Sequence, residues 1–225
     1  MDWKPKGSER PGETVLEGRL VRVEPVAWPE PGEELARALA EEDDQLWHYM
    51  KIGPFAGADE AANCVRVMRS GDQAPMAIRS LATGEVIGMA SFLRIRPDDG
   101  SAELGSIAYG RAMQRSPMGT EAMLLMMSHL FDDLGWRRCE WRCNAQNERS
   151  YRAAERLGFV FEGVFRQDHW IKGRNRDTAW FSVIDGEWPA VRGALEKWLA
   201  PENFDTDGRQ IRTLEEVRSQ FPEAT

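Results

Sequence analysis

Between residues 120 and 134 the chain is almost wholly apolar: Ala122, Met123, Leu124, Leu125, Met126, Met127, Leu130, Phe131 and Leu134 leave few polar positions, and Gly135 is placed to end a helix. A helix that is apolar on every side must be covered on every side. This one falls short of the roughly 18 residues that span a bilayer, so its cover has to be protein. The flanks supply it. Residues 101–109 read as a strand before it. Residues 137–143 alternate after it, with Cys139, Trp141 and Cys143 on one face and Arg138, Glu140 and Arg142 on the other. A buried helix between two strands makes this a mixed helix–sheet protein.

The rest of the chain extends that pattern. Residues 16–25 alternate as a first strand. Residues 33–41, a turn at 45–50, and residues 59–69 (with Asp59 or Ala58 as the cap) read as helical. Strands follow at 76–81 and 86–95, joined by a turn at 82–85, and the second is apolar on both faces, as in a covered sheet. After the apolar helix and its strand come a helix at 147–157 closed by Gly158, strands at 159–166 and 178–185 joined by a polar excursion turning at Gly173, and a helix at 188–199. The expected order is β-α-α-α-β-β-β-α-β-α-β-β-α. The expected division is an arm at 1–15, one domain at 16–199 and a tail at 200–225.

Length and charge narrow the function. A chain of 225 residues suits one large domain with appended arms. Its net charge of −8 speaks against nucleic-acid binding, which needs a basic surface. Neither a membrane-spanning run nor an apolar leader is visible, and the three cysteines form no disulfide framework, so a cytoplasmic location is expected. Cys139 and Cys143 lie four apart on one strand face without further ligands nearby, so no metal is expected.

A strand, a short loop containing Gly119 and a buried helix outline an anion cradle, because the helix N-terminus offers unpaired N–H groups and a favourable dipole. Twenty-eight residues beyond Gly119 stands Asn147, followed by Ser150 three later and by Gly158 and Phe159 eleven and twelve later. With Gln114, Pro117 and Gly119 at the places of a Gln/Arg-x-x-Gly-x-Gly/Ala loop, the chain resembles the GNAT superfamily of acyl-CoA-dependent N-acetyltransferases. The helix start Thr120-Glu121-Ala122 and the Glu162-Gly163-x-x-Arg166 run resemble its Rim-type branch, which acetylates the N-terminal amine of ribosomal proteins.

The resemblance implies an α+β fold with a splayed, mixed, mostly antiparallel sheet flanked by helices, and acetyl-CoA as acyl donor. Backbone groups near Ile107, Ala108 and Tyr109 would take the pantetheine arm and polarise the thioester carbonyl. Gln114 belongs to the phosphate loop, and N–H groups of Arg115, Ser116, Met118, Gly119 and Thr120 would hold the pyrophosphate. Asn147 would bond the pantetheine or the neighbouring backbone. Pro117 departs from the pattern, since proline has no N–H to give, and Arg115 is placed to compensate.

Amine acylation needs a base for the amine and a proton for the leaving thiolate. Many family members place a Tyr seven residues after the Asn for the second role; here that position is Ala154. Ser150 matches the Rim-type position for thiolate protonation, and Tyr151 lies close by on the same helix. For the base there are two candidates: Glu103, on the strand that leads to the thioester site, and His169, in the excursion after Arg166. The acceptor is a small-molecule amine or a protein N-terminus. Residues 30–60 hold nine acids against two bases, while residues 111–176 hold twelve bases against eight acids, which points to a cationic amine on one side and the anionic coenzyme on the other. A homodimer is compatible with this reading. The alternative from another class is a catalytically weak acyl-CoA-binding sensor or interaction module.

Overall fold

The computed structural model describes residues 10–221 and arranges them about one eight-stranded sheet. In chain order the elements are β1 (Leu16–Glu17), β2 (Val21–Pro25), α1 (Gly32–Ala40), α2 (Ala58–Ser70), β3 (Ala74–Ser80), β4 (Val86–Arg96), β5 (Ser101–Tyr109), α3 (Pro117–Ser128), β6 (Arg138–Asn144), α4 (Glu148–Leu157), β7 (Val160–Ile171), β8 (Arg174–Ile184), α5 (Trp188–Leu199) and α6 (Leu214–Arg218). The strands lie in the order β1-β2-β3-β4-β5-β6-β8-β7. Every neighbouring pair is antiparallel except β5 and β6. The fold is therefore the expected mixed, mostly antiparallel sheet with helices around it.

Two apolar clusters cover the sheet. The larger joins Met76, Ile78 and Phe92 to Met123, Met126 and Met127 of α3 and to Leu195 and Trp198 of α5. The smaller packs Leu35 and Leu39 of α1 and Val65 of α2 against Ala77, Met89 and Ala108. On β3 the alternation is clear, with Met76 and Ile78 in one cluster and Ala77 in the other. The apolar run is α3 itself. It begins at Pro117, three residues before the run, because proline at the first helical position forfeits an N–H that would have no partner. It continues as a π turn over His129–Asp133, and Gly135 then takes a φ of 63°.

Three expectations change. The first strand is broken by a turn after Glu17, giving two strands before any helix. Residues 45–50 form successive i→i+3 turns instead of a helical segment. The polar excursion is part of the sheet: β7 and β8 extend to a tight turn at Lys172 and Gly173, with φ values of 48° and 72°. A ladder built from polar residues leaves no apolar periodicity, so the strands there read as loop. The described part of the C-terminal tail is tied in: Leu214 and Val217 are buried in the larger cluster.

Candidate active site

β5 and β6 are paired in register only from Ser101 to Leu104 and from Arg138 to Trp141. Beyond that point they part, so Gly105–Tyr109 of β5 keeps a sheet partner on the β4 side alone. A bulge lies in this stretch: Met89 pairs with Ala108 and Ser91 with Gly105, so β5 carries one residue more than β4. Ser106 sits in the bulge with a φ of 48°. Ile107 and Tyr109 are half-buried and Ala108 is buried. The three residues expected to meet the thioester arm therefore lie along an open strand edge inside the sheet, where an extended ligand can add itself as a strand does.

The phosphate loop follows directly. Gln114 Nε2 donates to the Tyr109 carbonyl (3.1 Å), which folds the loop back on the strand end. Arg115 adopts a φ of 59°. Ser116 caps α3: its Oγ accepts from Met118 N (3.3 Å), and its own N–H donates to the Met113 carbonyl (3.2 Å). Ser116 and Met118 thus spend their N–H groups within the chain, and Pro117 has none. Gly119 is the helix-end residue whose N–H is left over. A Cβ there would stand 2.8 Å from Tyr109 Cε2, and the Tyr109 hydroxyl donates to the Gly119 carbonyl (3.1 Å), so the glycine lets helix and strand close together. Burial pushes the Tyr109 hydroxyl far above its ordinary pKa, so it stays protonated. Thr120 is buried, and Arg156 Nη1 donates to its Oγ1 (3.0 Å). Arg156 brings a half-buried guanidinium to this helix end from 36 residues away, and no local sequence pattern announces it.

On the far side of the split, Asn147 caps α4 through its Oδ1, which accepts from Ser150 N (3.2 Å). Ser150 Oγ accepts from Trp141 Nε1 (3.1 Å), and the Cys143 thiol also lies within its hydrogen-bonding reach. A hydroxyl that accepts from an indole keeps its own proton to give. Tyr151 packs its ring against Phe161 and Phe181, with centroids 5.8 and 4.7 Å away. Ala154, at the position where many relatives carry Tyr, is fully buried.

The two base candidates sit in one charge cluster. Glu103 is 4% exposed, and its Oε2 receives Arg142 Nε (2.7 Å) and Nη2 (2.6 Å). Burial raises the carboxyl pKa, and Arg142 opposes that rise. His169 belongs to β7, opposite Arg176 of β8, and Asp168 Oδ2 is 3.4 Å from its Nε2. Burial and then Lys51 push its pKa down, Arg176 and Arg142 add to this, and Asp168 opposes it. Lys51 and Arg176 are themselves pushed down, by burial first and then by neighbouring cations. Beside this cluster opens a cleft of about 260 Å³ between residues 44–54, the end of β6 and the tip of the β7–β8 hairpin. Lys172 Nζ staples that tip to the carbonyls of Trp47 (2.8 Å) and Ile52 (3.2 Å). The sequence reading missed Lys51 and Arg176 as site residues and saw Arg142 only as one face of a strand. Arg142 and Arg176 lie in an Arg-rich stretch, Lys51 has no such signal, and only the fold brings the three together.

The chain and its fold are matched by known proteins. The family model described as Acetyltransferase (GNAT) domain matches residues 29–160. A crystal structure of a GCN5-related N-acetyltransferase from Brucella melitensis superposes with a TM-score of 0.92 and 44% identity, covering 97% of this chain and 99% of that one. A probable acetyltransferase of the GNAT family from Chromobacterium violaceum gives 0.77 at 34% identity, over 84% and 93%. In sequence, "Uncharacterized N-acetyltransferase p20" of Bacillus licheniformis is 28% identical over 150 residues, 65% of this chain and 84% of that protein. "Putative ribosomal N-acetyltransferase YdaF" of Bacillus subtilis is 28% identical over 110 residues, 48% and 58%. The family match over residues 29–160 and the shared fold at 44% identity place the chain in the GNAT family of acetyltransferases.

Proposed function

We propose that the protein moves an acetyl group from acetyl-CoA to a primary amine by direct attack of the amine on the thioester. The observation that carries this reading is the split between β5 and β6, with an uncommitted strand edge on one side and the His169 cluster on the other. The pantetheine arm lies along 105–109, and an N–H at the bulge polarises the thioester carbonyl. The Gly119 N–H, the dipole of α3 and the Arg115 and Arg156 guanidiniums receive the pyrophosphate and its neighbouring phosphate.

His169 is the base. Its lowered pKa keeps the imidazole neutral near pH 7, ready to take the ammonium proton. Glu103 is closed off by burial and by both Arg142 contacts, so its part is to hold Arg142 in place. As the tetrahedral intermediate collapses, the C–S bond breaks and the thiolate takes its proton from the Ser150 hydroxyl, which Trp141 orients. Tyr151 supports that helix face through its ring contacts. The relative named as a ribosomal N-acetyltransferase keeps a protein N-terminus among the acceptors, beside small amines. The buried Ala154 favours a second reading, a binding module with little turnover. Purified protein, acetyl-CoA and an amine panel, read by free-thiol release, separate the two. Acetyl-CoA binding with no turnover on any amine would overturn the transferase reading.

A further inference from the structure

The acceptor cleft carries positive charge that its acids do not balance. Arg176 is half-buried on β8, and its Nε donates to Thr178 Oγ1 (3.2 Å). Among the described residues no ion pair joins Arg176 or Lys51 to a carboxylate. Of the two acids within electrostatic reach, Glu103 holds Arg142 at 2.6 and 2.7 Å, and Asp168, whose Oδ2 lies 3.4 Å from His169, forms an ion pair with neither cation. Of the nine acids in residues 30–60, which raised the expectation of a cationic acceptor, Asp44 alone lines the cleft. Glu34 is bound to Arg79 at 2.7 Å, and Asp43 faces Arg111. The segment is acidic, but these two acids are spent on other cations. Arg176, half removed from water and near the like charges of Arg142 and Lys51, is held at a cost that a bound anion relieves.

We propose that the acceptor amine carries a second, anionic group, a carboxylate or a phosphate, and that Arg176 and Lys51 bind it and so set the amine against His169. This rests on the transferase reading above. Register limits the distance: Arg176 is the cross-strand partner of His169, and directly opposed side chains leave their strands about 5 Å apart. Amine and anion are therefore separated by a few bonds, as in an α- or β-amino acid or an aminoalkyl phosphate. An ordinary protein N-terminus, whose carboxyl is an amide, lacks the second group.

The test compares amino acids with their own amides, and ethanolamine with phosphoethanolamine, using the full-length protein with acetyl-CoA and free-thiol readout. The free acid or the phosphate is expected to exceed its partner in kcat/KM by about tenfold to a hundredfold, the span of a hydrogen bond to a charged group. The two pairs tell carboxylate from phosphate. Arg176→Gln should collapse that ratio toward one, chiefly through KM, and Arg176→Lys should restore part of it. Amides turned over as well as acids, or an Arg176→Gln loss equal on both members, would overturn the proposal. If no amine is acetylated, the amine-transfer reading fails and the receptor is still tested. Propionate and methyl phosphate are titrated against tryptophan fluorescence. Saturable binding that Arg176→Gln abolishes supports the receptor, and no saturable binding overturns it.

Discussion

At the residue scale, Glu103 and His169 show how environment assigns roles to groups that a sequence leaves equal. Glu103 is buried with both Arg142 contacts on one oxygen. Replacing Arg142 by Met would strand a buried carboxylate and should cost about 3–5 kcal/mol, read from urea unfolding. Adding Glu103→Gln to that variant should recover much of the loss, because the uncompensated charge is gone. His169 follows a different logic. The groups that face it are Lys51, Arg142 and Arg176, which lower its pKa together with burial, and Asp168, which raises it. A base acts when neutral, so kcat/KM should rise with pH through a midpoint below the ordinary 6.5 and show no further dependence on this group above it. His169→Ala should remove that limb and lower turnover about a hundredfold or more. Lys51→Gln should move the midpoint upward, since one repelling cation is gone.

At the scale of elements, α3 was legible because its evidence is local. Fifteen consecutive residues state the burial, and Pro117 and Gly135 mark its surroundings. The β7–β8 hairpin was half legible. Its apolar halves alternate, but residues 167–177 are mostly polar, and 169–171 pair with 174–176 through the backbone, which no side-chain period records. His169 was therefore read as a loop residue and stands in a strand. The start of α3 also yields a test. Gly119→Ala places a Cβ 2.8 Å from the Tyr109 ring, so it should cost about 1–3 kcal/mol as overpacking and weaken acetyl-CoA binding. Thermal unfolding and equilibrium titration check the two effects separately. Thr213 completes a capping box with Glu216 at α6, and Thr213→Ala should lower stability by about 1 kcal/mol.

At the scale of the molecule, Glu121 ties the turn between β1 and β2 to the start of α3. Its buried carboxylate accepts from the N–H groups of Arg19 (3.1 Å), Leu20 (2.6 Å) and Val21 (2.9 Å), across about a hundred residues of chain. Gly18 has no room for a side chain because this carboxylate lies against it. Glu121→Ala would leave three donors without their acceptor and should cost about 3 kcal/mol or more, read as a fall in the urea midpoint. In the sequence Glu121 is one acid at a helix start, and the turn it organises is hidden within residues 16–25, which read as one strand. What the sequence determined by itself was the buried helix, its flanking strands, the glycine-bearing loop and the Asn147-to-Phe159 spacing, because each is written in neighbours along the chain. Tertiary structure alone decided where the charges meet. Lys51, Glu103, Arg142, His169 and Arg176 come from separate elements, and the sheet and the stapled hairpin bring them into one charge cluster beside the cleft. Charge acts through space at a few ångströms, and a sequence gives no distance between residues that are far apart along it.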